Sequence, residues 1–349
     1  MPTLYLREAL GLLLKTTPIL WVRLGSYALL GVGLLVYFAV AGGLAWLLGQ
    51  LWSVLGIIVF IAAFGGAWGL VRWVTRYYFY LLKAAHAAVM TEFILHDRGP
   101  SGSQIEYGKE QVISRFKDTS IMFAIDQVLD AVVKGFNRTF TNVTDFLPLP
   151  GMDALQQFVR RVSRFSTTYI DEAILSRAYA HREANVWAVA KDGVILYAQC
   201  WKPILANAVA LTLLSYVEFF VFLVLLGLPA VAVAALVPSL SLALGIGVLV
   251  GAWMLKLALA DAFALAATLL AYHRSTERME PDPMWQARLE QASDRFRELK
   301  QKAAEVVSGG SSGGSNHEDE VSPHSTPTEA DIRPKTAPSD APSRPSDRP

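Results

Sequence analysis

Three ionisable side chains lie in or beside strongly apolar sequence in the C-terminal third of the chain. Glu218 is the one charged residue between Pro203 and Leu255, and Lys256 and Asp261 follow that stretch. A charge inside a membrane is costly unless it has a partner or faces a cavity. The spacing permits a Glu218–Lys256 or a Lys256–Asp261 pair, and Glu218 becomes our candidate contact for a moving cation or proton. Alternatively, Lys256 and Asp261 lie near the cytoplasmic interface, with the lysine reaching towards water.

A second set of ionisable residues, Lys83, His86 and Glu92, lies inside Tyr77–Leu95, a segment that is long enough to cross a bilayer. These residues are candidates for a polar path if the segment crosses the membrane. Their spacing does not suit a metal site on one helix face, and the sequence has no nucleotide-binding glycine loop and no Ser–His–carboxylate set in a credible context. We therefore predict that the protein is not an enzyme and holds no metal or cofactor.

The elements that carry these residues are predicted to be transmembrane helices. Leu24–Val71 contains no charged residue, and each of the two apolar stretches could cross a bilayer twice at about 20 residues a crossing. Charged residues make up 17% of the 349 residues, against about 25% in an average soluble protein. Turn formers lie near the middle of each stretch, namely Gly49-Gln50 in the first and Gly227, Pro229 and Pro238 in the second. We therefore predict an all-α, polytopic helical membrane protein with two transmembrane hairpins.

Changes in composition along the chain predict six segments. Amphipathic helices flank the two hairpins, and the C-terminal tail should be disordered because it has too few apolar residues to bury. In chain order, the segments are an interfacial amphipathic helix at 1–23, hairpin 1 at 24–75, a membrane-associated amphipathic helical region at 76–202, hairpin 2 at 203–273, a heptad amphipathic helix at 281–307 and a Gly/Ser/Pro-rich tail at 308–349.

The number of spans depends on two ambiguous segments, Tyr77–Leu95 and Ser120–Phe140. Charges interrupt the first, and the second places Asp126, Asp130 and Lys134 opposite an apolar face, which is typical of an amphipathic helix. We favour four spans, with both segments interfacial or partly inserted. Six spans, with both segments crossing, are the alternative.

The distribution of basic residues predicts the topology. Lys and Arg residues flank the hairpins but are missing from both predicted turns. By the positive-inside rule the turns are translocated, and the N-terminus, the centre and the C-terminus are cytoplasmic. We expect a multi-pass protein of a bacterial inner membrane or a plasma membrane, in contact with the lipid bilayer. The net charge of +1 gives no basic surface for nucleic acid.

Two further patterns indicate helix contacts. Gly65 and Gly69 stand four residues apart, as do Gly247 and Gly251, and this spacing permits close helix packing. Near the C-terminus a heptad pattern predicts either a coiled coil, which would join copies or bind a protein partner through residues 285–306, or an amphipathic helix docked on its own protein. The residues that would form this contact are Trp285, Leu289, Phe296 and Leu299.

One stretch resembles a known family. The sequence Tyr169-x-x-x-Ala173-Ile174, followed by Tyr179 and Trp187, is similar to the Tyr-x-x-x-Ala-Ile…Phe…Phe pattern of choline transporter-like membrane proteins. In that family the pattern precedes a transmembrane hairpin and a cytoplasmic C-terminal segment, and the resemblance here covers residues 75–290. The family's usual Asn-Phe-Cys run is replaced by Ala178-Tyr179-Ala180. The resemblance implies transport of an organic cation such as choline.

The predicted function is therefore movement of a small solute through the membrane, by a transporter or channel, with Glu218 as a polar contact. The alternative is a scaffold that does not transport and that recruits partners through its cytoplasmic helix and tail. The two predictions depend on different residues, because transport requires Glu218 and a scaffold requires the heptad positions.

Overall fold

Two long helical hairpins form the frame of the molecule. The computed structural model describes residues 5–115, 119–140 and 169–311, and the regular structure in these ranges is entirely helical. The first hairpin consists of α2 (Thr17–Leu51), α3 (Ser53–Val74), a π turn (Thr75–Phe79) and α4 (Tyr80–His96). The second consists of α9 (Trp201–Leu236), a 3-10 turn (Pro238–Leu240), α10 (Ser241–Leu255), a π turn (Lys256–Ala260) and α11 (Asp261–Thr276).

The other helices pack around the ends of the hairpins that lie away from the two turns. In particular, α1 contacts α11, α5 contacts α4, and α13 contacts both α6 and α8. These helices are α1 (Leu6–Lys15), α5 (Gln104–Arg115), α6 (Thr119–Phe140), α7 (residues 169–180), α8 (Val186–Gln199), α12 (Pro283–Ala292) and α13 (Asp294–Ser311).

Four helical rods in the described ranges are long and apolar enough to cross a membrane. They are Thr17–Leu51, Ser53–His96, Trp201–Leu236 and Pro238–Thr276. The predicted fold class, an all-α membrane protein with two transmembrane hairpins, is confirmed. The rods are longer than a bilayer requires, because a 36-residue α-helix such as α9 extends for about 54 Å.

Each rod has an exposed half beside the hairpin turn and a buried half at the other end. On α9, Val221 and Leu236 are 57% and 83% exposed, whereas Ile204 and Leu205 are fully buried. The exposed part of α9 begins at Tyr216 and is about 30 Å long, which matches the hydrocarbon thickness of a bilayer. An apolar surface of this extent requires lipid rather than water. The exposed halves are therefore the parts that belong in the membrane.

The buried halves pack around α11. This helix contacts α1, α4 and α9, and its alanines at 262, 264, 266 and 267 are buried. Small side chains let helix backbones approach closely, so one helix can contact three others. The core also buries large side chains such as Tyr197, Tyr272 and Phe136.

The two ambiguous segments belong to this core. Tyr77–Leu95 continues the rod of α3, and its residues from Ala84 to Thr91 are buried within the protein. On α6 the apolar face, which includes Ile125, Leu129 and Val132, is likewise buried. The structure therefore has the four favoured spans, and the apolar faces of both segments are covered by protein rather than by lipid.

The predicted turns are partly wrong. The first hairpin turns at Trp52, two residues beyond Gly49-Gln50, and the second turns at Val237 and Pro238. Gly227 and Pro229 lie inside α9, which continues through them. A proline inside a membrane helix is tolerated because neighbouring groups and local adjustments compensate for the lost hydrogen bond. Gly227 and Pro229 therefore do not end the helix, because they lie within a long apolar span that stays helical.

The C-terminal heptad residues pack inside their own chain. The pattern is divided between α12 and α13, which are separated at Ser293. The side chains of Leu289, Phe296 and Leu299 are fully buried, and the Trp285 ring lies 6.2 Å from that of Phe136. Of the two predicted arrangements, the structure has the docked helix. Within the tail predicted at 308–349, residues 308–311 extend α13, and the remainder lies outside the described residues.

We expect cysteine accessibility to reveal the orientation of the hairpins. In a Cys200→Ser background, single cysteines at Gln50 and Ser239 should react with an impermeant maleimide in intact cells, whereas one at Ser103 should react only after lysis. Cys200 is partly buried and forms no disulfide, so its replacement by serine breaks no covalent link. Labelling of Ser103→Cys in intact cells would contradict the cytoplasmic location of the core.

We expect Phe296→Ala to lower the free energy of unfolding by about 3–5 kcal/mol, because the ring is fully buried and its loss leaves a cavity. Thermal unfolding in lipid nanodiscs would measure this change. The control is Met284→Ala on the exposed side of α12, which should have little effect. A change in oligomeric state without loss of stability would instead support an intermolecular coiled coil.

Candidate functional site

A buried ion pair joins the first hairpin to α7. Lys83 Nζ on α4 lies 2.8 Å from Glu172 Oε1, and the two side chains are 17% and 4% exposed. Removing one member of such a pair leaves an uncompensated charge and costs about 3–5 kcal/mol. The Lys83–Glu172 pair therefore fixes the position of α7 against the rod that leaves the membrane.

Two more carboxylates lie near this pair. Asp126 on α6 and Asp171 on α7 both interact electrostatically with Lys83 and with each other. Asp171 is buried, and its Oδ1 accepts a hydrogen bond of 2.9 Å from the backbone N–H of Glu172. We refer to Lys83, Asp126, Asp171 and Glu172 as the carboxylate cluster. Its three acidic groups face one lysine.

The environment of the carboxylate cluster favours protonated acids. Burial raises the pKa of Asp126 to about 7, and the nearby charge of Glu172 also raises it, whereas Lys83 lowers it. Burial likewise raises the pKa of Asp171 well above its usual value, and the charge of Asp126 contributes to the increase. Removing a carboxylate from water disfavours its ionised form. The carboxylate cluster can therefore hold a proton near neutral pH.

A second ion pair, Lys256–Asp261, lies at the level where the second hairpin leaves the lipid-exposed zone. Lys256 Nζ is 2.6 Å from Asp261 Oδ1. The π turn at Lys256–Ala260 explains the contact, because a π turn brings residues five apart onto one side of the helix. Of the two predicted pairings of Lys256, the structure has the one with Asp261. The lysine ammonium also lies 5.7 Å from the ring centres of both Tyr216 and Trp253.

Tyr169 connects the two ion pairs. Its hydroxyl donates a 3.1 Å hydrogen bond to Asp261 Oδ1, and Lys83 Nζ lies 5.8 Å from the centre of its ring. A continuous series of polar groups thus extends from Lys256 on the second hairpin to Glu172 on α7. Tyr169 is also the first residue of the sequence Tyr169-x-x-x-Ala173-Ile174 singled out above.

Arg23 is a further functional candidate. In the sequence it was only one of the basic residues that flank the first hairpin and indicate the topology. Its side chain is 3% exposed, and its Nη2 donates a 2.9 Å hydrogen bond to the carbonyl oxygen of Leu257 in the π turn. Its Nε and Nη1 are buried and have no hydrogen-bond partner among the described residues. The guanidinium lies 5.9 Å from the centre of the Tyr27 ring. Arg23 therefore places an additional positive charge beside the Lys256–Asp261 pair.

Glu218 lies apart from the carboxylate cluster, in a groove between α1, α9 and α11. The groove has a volume of about 540 Å³, and its walls are mostly apolar. One carboxylate oxygen, Oε2, is buried and accepts no hydrogen bond from any described residue. The charges of Asp261 and Lys256 act on Glu218, so the groove borders the second ion pair.

The other members of the predicted second set do not join Lys83. His86 is buried, and its Nε2 lies 3.0 Å from the Thr16 hydroxyl. Glu92 accepts hydrogen bonds from Tyr107 and, at 2.7 Å, from Arg182. Lys83, His86 and Glu92 thus have three different sets of partners. Among the described residues, no three His, Cys, Asp or Glu side chains are arranged to hold a metal ion.

The glycines that bring helices together are mostly not the predicted ones. A Cβ atom added at Gly65, Gly69 or Gly247 would have no neighbour within 4 Å among the described residues. Gly251 does contact Leu226, with 3.1 Å between the added Cβ and the leucine Cδ1. The closest helix contact in the first hairpin is at Gly56, where an added Cβ would lie 2.6 Å from the Ala45 carbonyl oxygen.

Comparisons found no protein family model, curated protein or solved structure that matches this chain. The function is therefore argued from the residues of the chain itself. Sequence reasoning did not identify Asp171, Glu172 or Arg23 as site residues. The sequence did contain a signal for these acids. Asp171 and Glu172 are adjacent carboxylates that lie among apolar residues, between Tyr169 and Ala173.

We expect Asp126→Asn to stabilise the protein above neutral pH. The pKa of Asp126 is raised in the folded state, so folded protein keeps the proton between about pH 4 and 7 while unfolded protein loses it, and stability falls as the pH rises through that window. Asparagine cannot ionise, so it removes the cost of burying a charged carboxylate above neutral pH. Each kcal/mol regained should raise the melting temperature in nanodiscs by about 2–4 °C, with a larger gain at pH 8 than at pH 5.

The matched control for this measurement is Asp130→Asn. Asp130 lies on the same helix and pairs with Lys134 at 2.7 Å in an exposed position. Such pairs contribute about 0–1 kcal/mol, and the charge of Asp130 makes only a minor contribution to the raised pKa of Asp126, so this variant should change the stability and its pH dependence much less than Asp126→Asn. Equal pH dependence in Asp126→Asn and the parent protein would contradict the buried environment of Asp126.

Proposed function

We propose that the protein carries a small organic cation across the membrane and that the cation binds at the carboxylate cluster and the Lys256–Asp261 pair. The observation that carries this proposal is an excess of acidic over basic side chains, of which Asp171 and Glu172 are buried and Asp126 and Asp261 are half-buried. Along this series of polar groups, four carboxylates, those of Asp126, Asp171, Glu172 and Asp261, face two lysines and Arg23, so the acids outnumber the bases by one.

An excess of buried carboxylates is suited to a cationic solute. Burying an ionised group without a counter-charge is very costly, and burial raises the pKa values of Asp126 and Asp171, which favours their protonated forms. A cation that enters the carboxylate cluster supplies the same neutralisation and displaces a proton. Cation binding and proton release are then coupled at one site.

The aromatic rings beside the ion pairs support an organic cation in particular. Tyr169, Tyr216 and Trp253 each lie 5.7–5.8 Å from a lysine ammonium. An aromatic face within about 6 Å attracts a cation, and quaternary ammonium groups are recognised in this way. The resemblance of the Tyr169 motif to choline transporter-like proteins suggests choline as a first substrate to test.

The position of the polar groups also suits transport. They lie at the level where the four rods leave their lipid-exposed zone, and by the positive-inside rule this level is the cytoplasmic side of the membrane. A cation released there enters the cytoplasm or begins the opposite crossing. Glu218, beside the Lys256–Asp261 pair, extends the series towards the lipid-exposed half.

The scaffold alternative is less well supported by the packing of the heptad helix. The side chains of Leu289, Phe296 and Leu299 are buried against their own chain, so they are not accessible to a partner helix in this conformation. Glu172 has a structural role in either case, but Asp126 and Asp171 add acid beyond the Lys83–Glu172 pair, which cation binding requires and a scaffold does not. This difference favours transport.

The proposal predicts that Asp171→Asn abolishes cation transport without loss of stability. In proteoliposomes, uptake of labelled choline driven by a pH gradient should fall by about tenfold or more, the scale of one charge-assisted contact. Because asparagine keeps the size of the side chain and its Oδ1 can still accept the hydrogen bond from the Glu172 backbone N–H, the melting temperature should stay equal or rise.

The control for the transport assay is Glu298→Gln on α13. Glu298 is an exposed acid that pairs with Arg295 at 2.8 Å, far along the chain from the carboxylate cluster. Its replacement should leave uptake unchanged. Uptake by Asp171→Asn equal to that of the parent protein, or no choline uptake above that of protein-free liposomes, would contradict the proposal.

A further inference from the structure

The groove beside Glu218 contains two opposite charges in apolar surroundings. Glu218 projects from α9, and Arg7 projects from α1 on the other side of the groove. Between them the walls are formed by leucine, valine and phenylalanine side chains such as Leu10, Val221 and Phe263. The groove therefore has apolar walls, with one carboxylate and one guanidinium group at its edge.

Arg7 is exposed and Glu218 is half-buried, and neither belongs to an ion pair in the described part of the chain. Glu218 and Arg7 form no ion pair with each other or with another described residue, and the buried oxygen Oε2 of Glu218 accepts no hydrogen bond. A buried acceptor without a donor costs about 1–3 kcal/mol, and more if the group is charged. The groove therefore favours an occupant that brings a hydrogen-bond donor to Glu218 and a negative charge to Arg7.

The groove opens towards lipid. Leu10 and Val221 are among its walls and are exposed, and Val221 belongs to the half of α9 that matches the hydrocarbon thickness. Leu14, one turn further along α1, is exposed as well. Helix α1 thus lies at the edge of the lipid-exposed zone, with apolar side chains directed outwards as in an interfacial helix. An occupant can enter from the bilayer without crossing the protein core.

We propose that this groove binds the headgroup of a phospholipid that carries a primary ammonium, such as phosphatidylethanolamine. The ammonium donates a hydrogen bond to Glu218 Oε2, the phosphate accepts hydrogen bonds from Arg7, and an acyl chain lies along the exposed face of α9. This zwitterion matches the two opposite charges. None of the residues of the carboxylate cluster lines the groove, so lipid binding at Glu218 and cation binding at that cluster are tested by different variants.

The chemistry of Glu218 distinguishes this lipid from the other common headgroups. A trimethylammonium group has no N–H, so phosphatidylcholine leaves Oε2 without a donor. Phosphatidylglycerol has a phosphate for Arg7 but no cation for Glu218. The site should therefore prefer the primary ammonium over both.

Native mass spectrometry of the whole protein in detergent tests this preference. The protein would be mixed with equal amounts of the three lipids with identical acyl chains. The parent protein should retain phosphatidylethanolamine about tenfold better than phosphatidylcholine, the scale of one charge-assisted hydrogen bond. Glu218→Gln should remove this preference, and Arg7→Gln should weaken retention of all three lipids.

Two further variants separate lipid binding from loss of folding. Leu10→Trp keeps both charges and fills the groove, so retention of all three lipids should fall while the elution profile stays unchanged. Glu8→Gln neutralises an exposed acid on α1 that does not line the groove, and it should have no effect. Equal retention of the three lipids by the parent protein, a preference for phosphatidylglycerol, or an unchanged preference in Glu218→Gln would overturn the proposal. Displacement of the lipid by equimolar soluble phosphoethanolamine would overturn it too, because the bilayer would then not be the source of the ligand.

Discussion

The contact between Lys256 and Asp261 lies where the long helices pass from lipid to protein, and much of the structure depends on it. Neither charge is tolerable alone at the edge of hydrocarbon, so each requires the other. Arg23 binds the backbone of the same π turn, and Tyr169 donates to the same carboxylate. Three separate parts of the chain, α2, α7 and the second hairpin, are therefore brought together at one point.

The protein core beside this contact contains charged side chains that the hydrocarbon part of a membrane would exclude. The alanine-rich α11 permits close approach of its neighbours, and α7 then brings Asp171 and Glu172 to Lys83. At the same level, Glu218 faces outwards to the lipid-exposed zone. The boundary thus has an inner group of acids around Lys83 and an outer acid, Glu218, at the edge of the lipid-exposed zone.

The sequence was sufficient to predict those features that depend on neighbouring residues. The spans follow from long uncharged stretches, and the Lys256–Asp261 pair was one of two predicted pairings, although the π turn that forms it was not predicted. In contrast, Lys83 and Glu172 are 89 positions apart, and no local pattern relates them. The docking of Leu289 and Phe296 on α8 was left undecided, since a heptad pattern is satisfied equally by a partner helix or by the chain's own core. Pro229 gave a turn signal that the surrounding apolar helix overrode.

The two π turns have a mechanical consequence. Phe79 ends the first, Ala258 lies in the second, and both pack against Tyr27, so the turns lie at one level of the molecule. Helices bend most readily where a π turn interrupts the regular hydrogen bonding. The two π turns lie side by side between the lipid-exposed hairpins and the core, so bending at both would tilt the hairpins relative to the core. Such tilting would change access to the buried ion pairs while every helix stays folded.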